Sequence, residues 1–226
     1  MSIEGEVRPL RPGIEVGISG GPRGTLGLLL ENAAKERFAL SCSHVLALCG
    51  EAHPDTLVKQ PANPFVDPTG IAVGKLTTTF TVLDFGWGIN TEDFAVARIT
   101  PAIACVPSFA NAEHAPRTAF AGGPDDMRDC PTQLNGIITR GARGVVSSSQ
   151  KDRYRIAYPG FGVAEFEGAV QYETACSEGD SGAAVMLADT NVVLGIHISG
   201  KSDDGIGYLL PIASFLTKHG FIIFVG

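Results

Sequence analysis

The sequence predicts an all-β fold built as two halves, and three observations carry that prediction. Apolar runs of strand length recur along the whole chain, rich in β-branched residues and bounded by Gly, Pro, Asn or Asp. The 28 glycines and 14 prolines among 226 residues are dispersed, as tight turns between short strands require. One convincing amphipathic helix stands near the C-terminus, at 211–219.

Residues 1–20, with Pro9, Pro12 and several glycines, read as an extended N-terminal arm. The runs 25–32 and 37–43 flank a short polar connection and predict a hairpin. Residues 44–48 suit one helical turn, and 56–60, 71–83 and 93–99 are strands, the last alternating cleanly. Residues 100–118 carry three prolines and little periodicity, which marks the linker region. Strand patterns resume at 136–149, 152–175, 183–189 and 192–199. In the helix, apolar residues recur at 212, 215 and 216, Lys218 and His219 fill the last turn, and Gly220 stops it. The tail 221–225 is a final apolar strand or packed segment. The expected organisation is therefore an arm (1–20), an N-terminal β unit (21–105), a linker (106–118) and a C-terminal β unit (119–226) that ends in the helix and tail. Two such units suit small barrels or sandwiches facing each other across a cleft.

Bulk properties narrow the function. A net charge of −7 without a basic cluster argues against nucleic acid as a partner. No apolar run approaches membrane-spanning length, and the polar N-terminus lacks the apolar core of a secretory signal. Five cysteines, an odd number at irregular spacing, read as free thiols in a reducing compartment, so a cytoplasmic location is expected.

The strongest local signal is CSEGDSGAAV, 176–185. Glycines on both sides of Ser181 permit the backbone angles that aim the N–H groups of Gly179 and Ser181 at one point, with Asp180 in the same loop. Converging N–H donors form an oxyanion hole, and a serine beside one needs a base with an orienting carboxylate. Upstream, His44 closes an apolar strand in LSCSHVLA and Asp93 opens another in NTEDFAVARI. The order is His, Asp, Ser, at intervals of 49 and 88 positions. Asp84, in LDFGWG, is the rival carboxylate.

Three segments together resemble the chymotrypsin-like (trypsin-fold) serine proteases. SCSHVLA is similar to that family's Ala-Ala-His segment, DFAVAR to its Asp-x-Ala-x-x-Arg segment and GDSGAAV to its Gly-Asp-Ser-Gly segment. The wider pattern is similar to intracellular, disulfide-free members such as the narrow-leaf-type proteases. The resemblance implies two six-stranded antiparallel β-barrels with the site between them. It also implies a Ser181–His44–Asp93 triad, an oxyanion hole in the Gly179–Asp180–Ser181 loop, and a protein or peptide substrate with no cofactor or metal.

The strand after the nucleophile, VVLGIHISGK, places His197 between Ile196 and Ile198. Its Gly-Ile-His pattern resembles the glutamyl endopeptidases and the chymotrypsin-like cysteine proteases of RNA viruses that cut after glutamine. This implies that His197 reads a P1 Glu or Gln, with Ile198, Ser199 and Gly200 pairing with the substrate backbone. The family's usual second donor, a hydroxyl five positions before the nucleophile, is replaced here by Cys176, with Thr174 and Ser177 as the nearby hydroxyls. The bland alternative for His197 is a satisfied core histidine.

In the same family a freed N-terminal ammonium often pairs with the Asp of Gly-Asp-Ser-Gly. No such start is evident here, so Asp180 needs an arginine or backbone amides. Failing those, the loop waits for an activating protein partner, and the chain is a silent or regulated binding module. A zinc site from Cys42, His44, Cys49 and His53 is the competing chemistry. The order Ser181, Asp203, His219 also matches an α/β-hydrolase, but a strand rather than a helix follows Ser181.

Overall fold

The computed structural model describes residues 7–62, 70–109, 114–148 and 153–226. The N-terminal half contains β1 (Glu15–Ile18), β2 (Arg23–Thr25), β3 (Leu28–Glu31), β4 (Arg37–Ser41), the single turn α1 (Ser43–Leu46), β5 (Leu57–Gln60), β6 (Ile71–Phe80), β7 (Ile89–Asn90) and β8 (Ala95–Ile99). The C-terminal half contains β9 (Thr118–Ala119), β10 (Pro131–Asn135), β11 (Arg140–Ser148), β12 (Tyr154–Tyr158), β13 (Gly162–Phe166), β14 (Val170–Glu173), β15 (Ala184–Leu187), β16 (Val192–Lys201) and β17 (Ile206–Pro211). Helix α2 (Ala213–His219) and β18 (Ile222–Ile223) end the chain.

Pairing between β15 and β16 closes the C-terminal sheet into a six-stranded barrel, β15-β10-β11-β14-β17-β16, with β9 added parallel to β16. Closure removes the sheet edges that would otherwise stay exposed. The N-terminal sheet runs β18-β3-β4-β8-β6-β5-β1-β2 and curls without closing, where a closed six-stranded barrel was expected. Two of its members were not expected as strands of this sheet. β1 comes from the stretch expected to be a free arm, and β18 comes from the C-terminal tail.

The tail therefore packs on the far half of the molecule. Ile223 pairs with Leu30, the Phe224 N–H donates to the Leu29 carbonyl at 2.9 Å, and Phe221 lies edge-on to Phe38 with centroids 5.0 Å apart. Ile223 and Phe224 are buried. Each contributes roughly 1.5–3 kcal/mol by leaving water. Gly220 takes the left-handed conformation (φ 68°) that ends α2 and turns the chain into this strand.

Two strands, β10 and β17, were not evident in the sequence. Both mix polar or glycine residues with apolar ones, so their pattern is weak until the barrel supplies neighbours. Residues 136–139, expected to begin a strand, instead form a tight turn closed by the Gly136 N–H to the Thr139 carbonyl at 2.9 Å. The expected linker 106–118 lies partly outside the described residues, and its last residue begins β9. No helix among the described residues is long and apolar enough to cross a membrane.

A third, small sheet joins the two halves. The hairpin β12–β13 leaves the C-terminal barrel and pairs in parallel with β7 of the N-terminal half, Glu165 with Ile89 and Phe166 with Asn90. This bridge lies directly beside the loop that precedes β8.

Candidate active site

His44 sits in α1, the one helical turn that follows β4. The Ser43 N–H donates to the Asp93 main-chain carbonyl at 3.1 Å and pins that turn to the loop before β8. The alternating strand that follows Asp93 places small Ala95 and Ala97 on the sheet, while Phe94 is buried edge-on to Phe215 of α2. Asp93 itself is fully buried. Its Oδ2 lies 2.7 Å from His44 Nδ1 and its Oδ1 accepts the His44 main-chain N–H at 3.1 Å. Asp84, the rival carboxylate, is exposed and caps its own turn by accepting the Gly86 N–H at 2.7 Å.

Ser181 arrives from the other half. Strand β2 holds its loop: the Thr25 N–H donates to the Ser181 carbonyl at 2.8 Å, and Thr25 Oγ1 donates to the Gly179 carbonyl at 2.9 Å. The halves meet so closely that a Cβ at Gly182 (φ 93°) would lie 2.1 Å from Ser41 Oγ and 2.4 Å from the Thr25 carbonyl. Only glycine fits there, on steric and conformational grounds alike. Ser181 Oγ donates to the Ile198 carbonyl at 3.4 Å, and no hydrogen bond joins it to His44. Such bonds are commonly long until a substrate is seated.

His44 and Ser181 line one cleft of about 520 Å³ together with Cys176, Ser177, Glu178, Gly179, His197, Ile198, Ser199 and Gly200. A second cavity, about 550 Å³, lies against Lys75 and Arg98 on the N-terminal sheet and contains none of these residues.

In the nucleophile loop the Asp180 N–H is taken by the Ser177 carbonyl at 3.0 Å. Of the three residues expected to line an oxyanion hole, Gly179 and Ser181 therefore differ from Asp180: among the described residues, no protein acceptor engages their N–H groups. The buried Asp180 side chain has the partners the sequence left open. Its Oδ1 accepts the N–H groups of Ile138 and Thr139, each at 3.0 Å, and its Oδ2 accepts the Ser177 N–H at 2.9 Å. The turn 136–139 is thus a cradle of backbone amides for this carboxylate.

His197 is buried, and β16 shifts register between His197 and Ser199, which interrupts the simple alternation at Ile198. His197 Nδ1 lies 2.8 Å from the buried Tyr172 hydroxyl. Burial pushes the Tyr172 phenol well above its ordinary value, so it stays protonated. Its only partner among the described residues is Nδ1, so the phenol donates and the imidazole proton resides on Nε2. Burial also brings the His197 pKa down to about 4, so the ring is neutral at physiological pH.

Cys176 lines the cleft, with its thiol against the Ile206 carbonyl at 3.4 Å. Thr174 does not line it. Its hydroxyl donates to the Ala175 carbonyl at 3.2 Å and its N–H to the Gly205 carbonyl, so of the two nearby hydroxyls only that of Ser177 belongs to a residue lining the cleft. Among the described residues, the four candidate ligands of the competing zinc site do not form one group. Cys42, His44 and Asp93 cluster within 4.8 Å, but Cys49 and the exposed His53 are not part of that group. The Cys42 thiol, pushed well up by burial, contacts the His197 carbonyl at 3.3 Å as a weak donor in the core.

No protein-family model matches the sequence, and no curated protein matches it. Solved structures do. Thermobifida fusca protease A superimposes at a TM-score of 0.67 with 16% identity, over 96% of this chain and 100% of that one. A glutamic-acid-specific serine protease, described as using a histidine triad in substrate binding, superimposes at 0.69 with 16% identity, over 95% and 100%. Alpha-lytic protease homolog N4 superimposes at 0.65 with 18% identity, over 94% and 98%. At these identities the likeness is one of fold, the trypsin-like double β-barrel.

Proposed function

We propose that the chain is a serine endopeptidase that cleaves peptide bonds through Ser181, His44 and Asp93, with an acyl-enzyme intermediate and a preference for glutamine at P1. The observation that carries this reading is the 2.7 Å bond between His44 Nδ1 and buried Asp93, on an imidazole that lines the same cleft as Ser181. In the proposed reaction Ser181 Oγ turns from the Ile198 carbonyl and attacks the substrate carbonyl, as its proton passes to His44 Nε2. The N–H groups of Gly179 and Ser181 stabilise the oxyanion. The C–N bond then breaks, His44 protonates the leaving amine, and water hydrolyses the acyl ester by the same route. Asp93 holds the tautomer and stabilises the imidazolium.

The P1 preference follows from His197. A neutral imidazole lining the cleft, with its proton on Nε2, has one hydrogen bond to donate to a side-chain carbonyl or carboxylate. A buried carboxylate also needs compensating charge, and a neutral ring supplies none. Exposed Glu178 at the mouth adds like charge. The solved glutamic-acid-specific neighbour is described as using three histidines, whereas here His197 and His44 are the histidines that line the cleft. Glutamine is therefore the better fit, with glutamate second. Peptide-library cleavage tests this: enrichment of Gln at P1 supports it, and enrichment of Arg, Leu or Phe removes it.

The amide cradle around Asp180 favours a loop built without a processed N-terminus or an activating partner. This supports an active enzyme over a silent binding module. A Cβ at Gly136 would lie 2.1 Å from Asp180 Oδ1. Gly136→Ala will therefore displace the loop and lower kcat by about 10²–10³-fold, the usual cost of losing an oxyanion donor. The circular dichroism of the barrels will be retained. Unchanged kcat in this variant would separate the cradle from the oxyanion hole. The unpaired state of all five cysteines supports a reducing, cytoplasmic location.

A further inference from the structure

Among the described residues, three donors reach the Asp93 carboxylate: the His44 main-chain N–H, His44 Nδ1, and the Tyr158 hydroxyl, which donates to Oδ2 at 3.0 Å. The first two come from the N-terminal half. Tyr158 is the last residue of β12, on the bridging hairpin of the other half. Its ring also stands edge-on to the His44 imidazole, with centroids 4.9 Å apart. One buried side chain thus touches both members of the pair.

The hairpin is fastened where it needs to be. The Glu167 N–H donates to the Asn90 carbonyl at 2.9 Å, and Asn90 Nδ2 donates to the carbonyls of Asp84 (2.9 Å) and Glu165 (3.1 Å). Phe85 packs edge-on against Tyr158 and stacks on Phe161, each at 5.9 Å. The loop leading to Asp93 and the strand carrying Tyr158 are therefore tied by backbone, amide and aromatic contacts.

We propose that Tyr158 is a positioning residue, held across the gap by the hairpin, that orients Asp93 and through it the His44 imidazole. The proposal rests on the serine-protease reading. Burial and the adjacent Asp93 charge push the Tyr158 phenol well above its ordinary value, so it remains a donor throughout the working range. A donor on Oδ2 also draws carboxylate charge away from the imidazole. Its removal leaves more negative charge facing the imidazolium and so favours the protonated ring.

Tyr158→Phe keeps the ring and loses the donor. We expect kcat to fall about tenfold with KM unchanged. The acidic limb of the kcat/KM profile will move to higher pH. The other titratable groups facing the pair are Cys42, Cys49 and His197, with Glu51 beside Cys49 and Asp180 beside His197. Burial raises both thiols, Cys49 to about 12, and lowers His197 to about 4, so none of these three changes charge on that limb. The low-field proton resonance of His44 Nδ1–H will shift in the same variant, a signature readable whether or not any peptide is cut. Asn90→Ala, which releases the clasp without touching the site, will lower kcat in the same direction and serves if Tyr158→Phe fails to fold. A folded Tyr158→Phe protein with unmoved kcat, limb and resonance overturns the proposal. So does an Asn90→Ala protein with unmoved kcat when Tyr158→Phe fails to fold. A wild-type protein that cuts no peptide overturns the protease reading instead, and the resonance still reports on Tyr158.

Discussion

Ser181→Ala and His44→Ala will each lower kcat/KM on a cleaved peptide by about 10⁵–10⁶-fold, and the double variant will be scarcely worse than either alone. In the proposed mechanism the two groups act as a unit: without the base the hydroxyl is a poor nucleophile, and without the hydroxyl the base has nothing to activate. Nearly all of the loss will fall on kcat. On the proposed reading, substrate binding draws on Ile198, Ser199 and Gly200 of β16 and on His197, none of which changes. A residual rate above water will persist in both, because the proposed oxyanion donors, the N–H groups of Gly179 and Ser181, are untouched. Asp93→Asn will cost about 10⁴-fold by presenting the wrong partner to Nδ1. Additive losses in the double variant, measured by steady-state kinetics, would mean that the two side chains do not work together.

The second large effect concerns selectivity. His197→Ala will reduce the kcat/KM ratio of a P1 Gln peptide over its P1 Leu counterpart by about 10³-fold or more. A buried hydrogen-bonding pocket discriminates strongly because a mismatched ligand leaves polar groups unpaired. Tyr172→Phe will erode the same ratio by a smaller factor, since it frees Nδ1 and lets the proton move between ring nitrogens. The pH dependence has a definite sign. With a folded pKa near 4, below the ordinary 6.5, His197 stays neutral from about pH 5 upward, and the ratio will be flat there. A ratio that changes between pH 6 and 7 would show that a protonated histidine reads the substrate.

Much of this architecture was legible in the sequence because it depends on local pattern. The 28–41 hairpin, the single turn at His44, strand β8 after Asp93 and the helix stopped by Gly220 all carry periodicity or capping residues that act within a few positions. What could not be read depends on contacts between distant segments. Strand β1 looked like part of an arm because its four residues, EVGI, show a strand only once they pair with β2 and β5. Strands β10 and β17 are legible only inside the closed barrel. The site divides in the same way. His44, Asp93 and Ser181 stand in recognisable segments. Thr174 was expected in the pocket because spacing does not reveal which way a side chain turns at the end of β14. Tyr158 and Tyr172 look like ordinary buried aromatics in alternating strands, and nothing in RIAYPG or VQYE signals a carboxylate or an imidazole opposite. The amides of Ile138 and Thr139 carry no residue-specific signal at all. The nearest hint is Gly136, where a side chain would strike Asp180.

The most direct test treats the purified chain with a fluorophosphonate and maps the adduct by mass spectrometry. A single phosphonyl group on Ser181, absent from both Ser181→Ala and His44→Ala, is the expected result. An adduct on another residue, or labelling that survives Ser181→Ala, would contradict it.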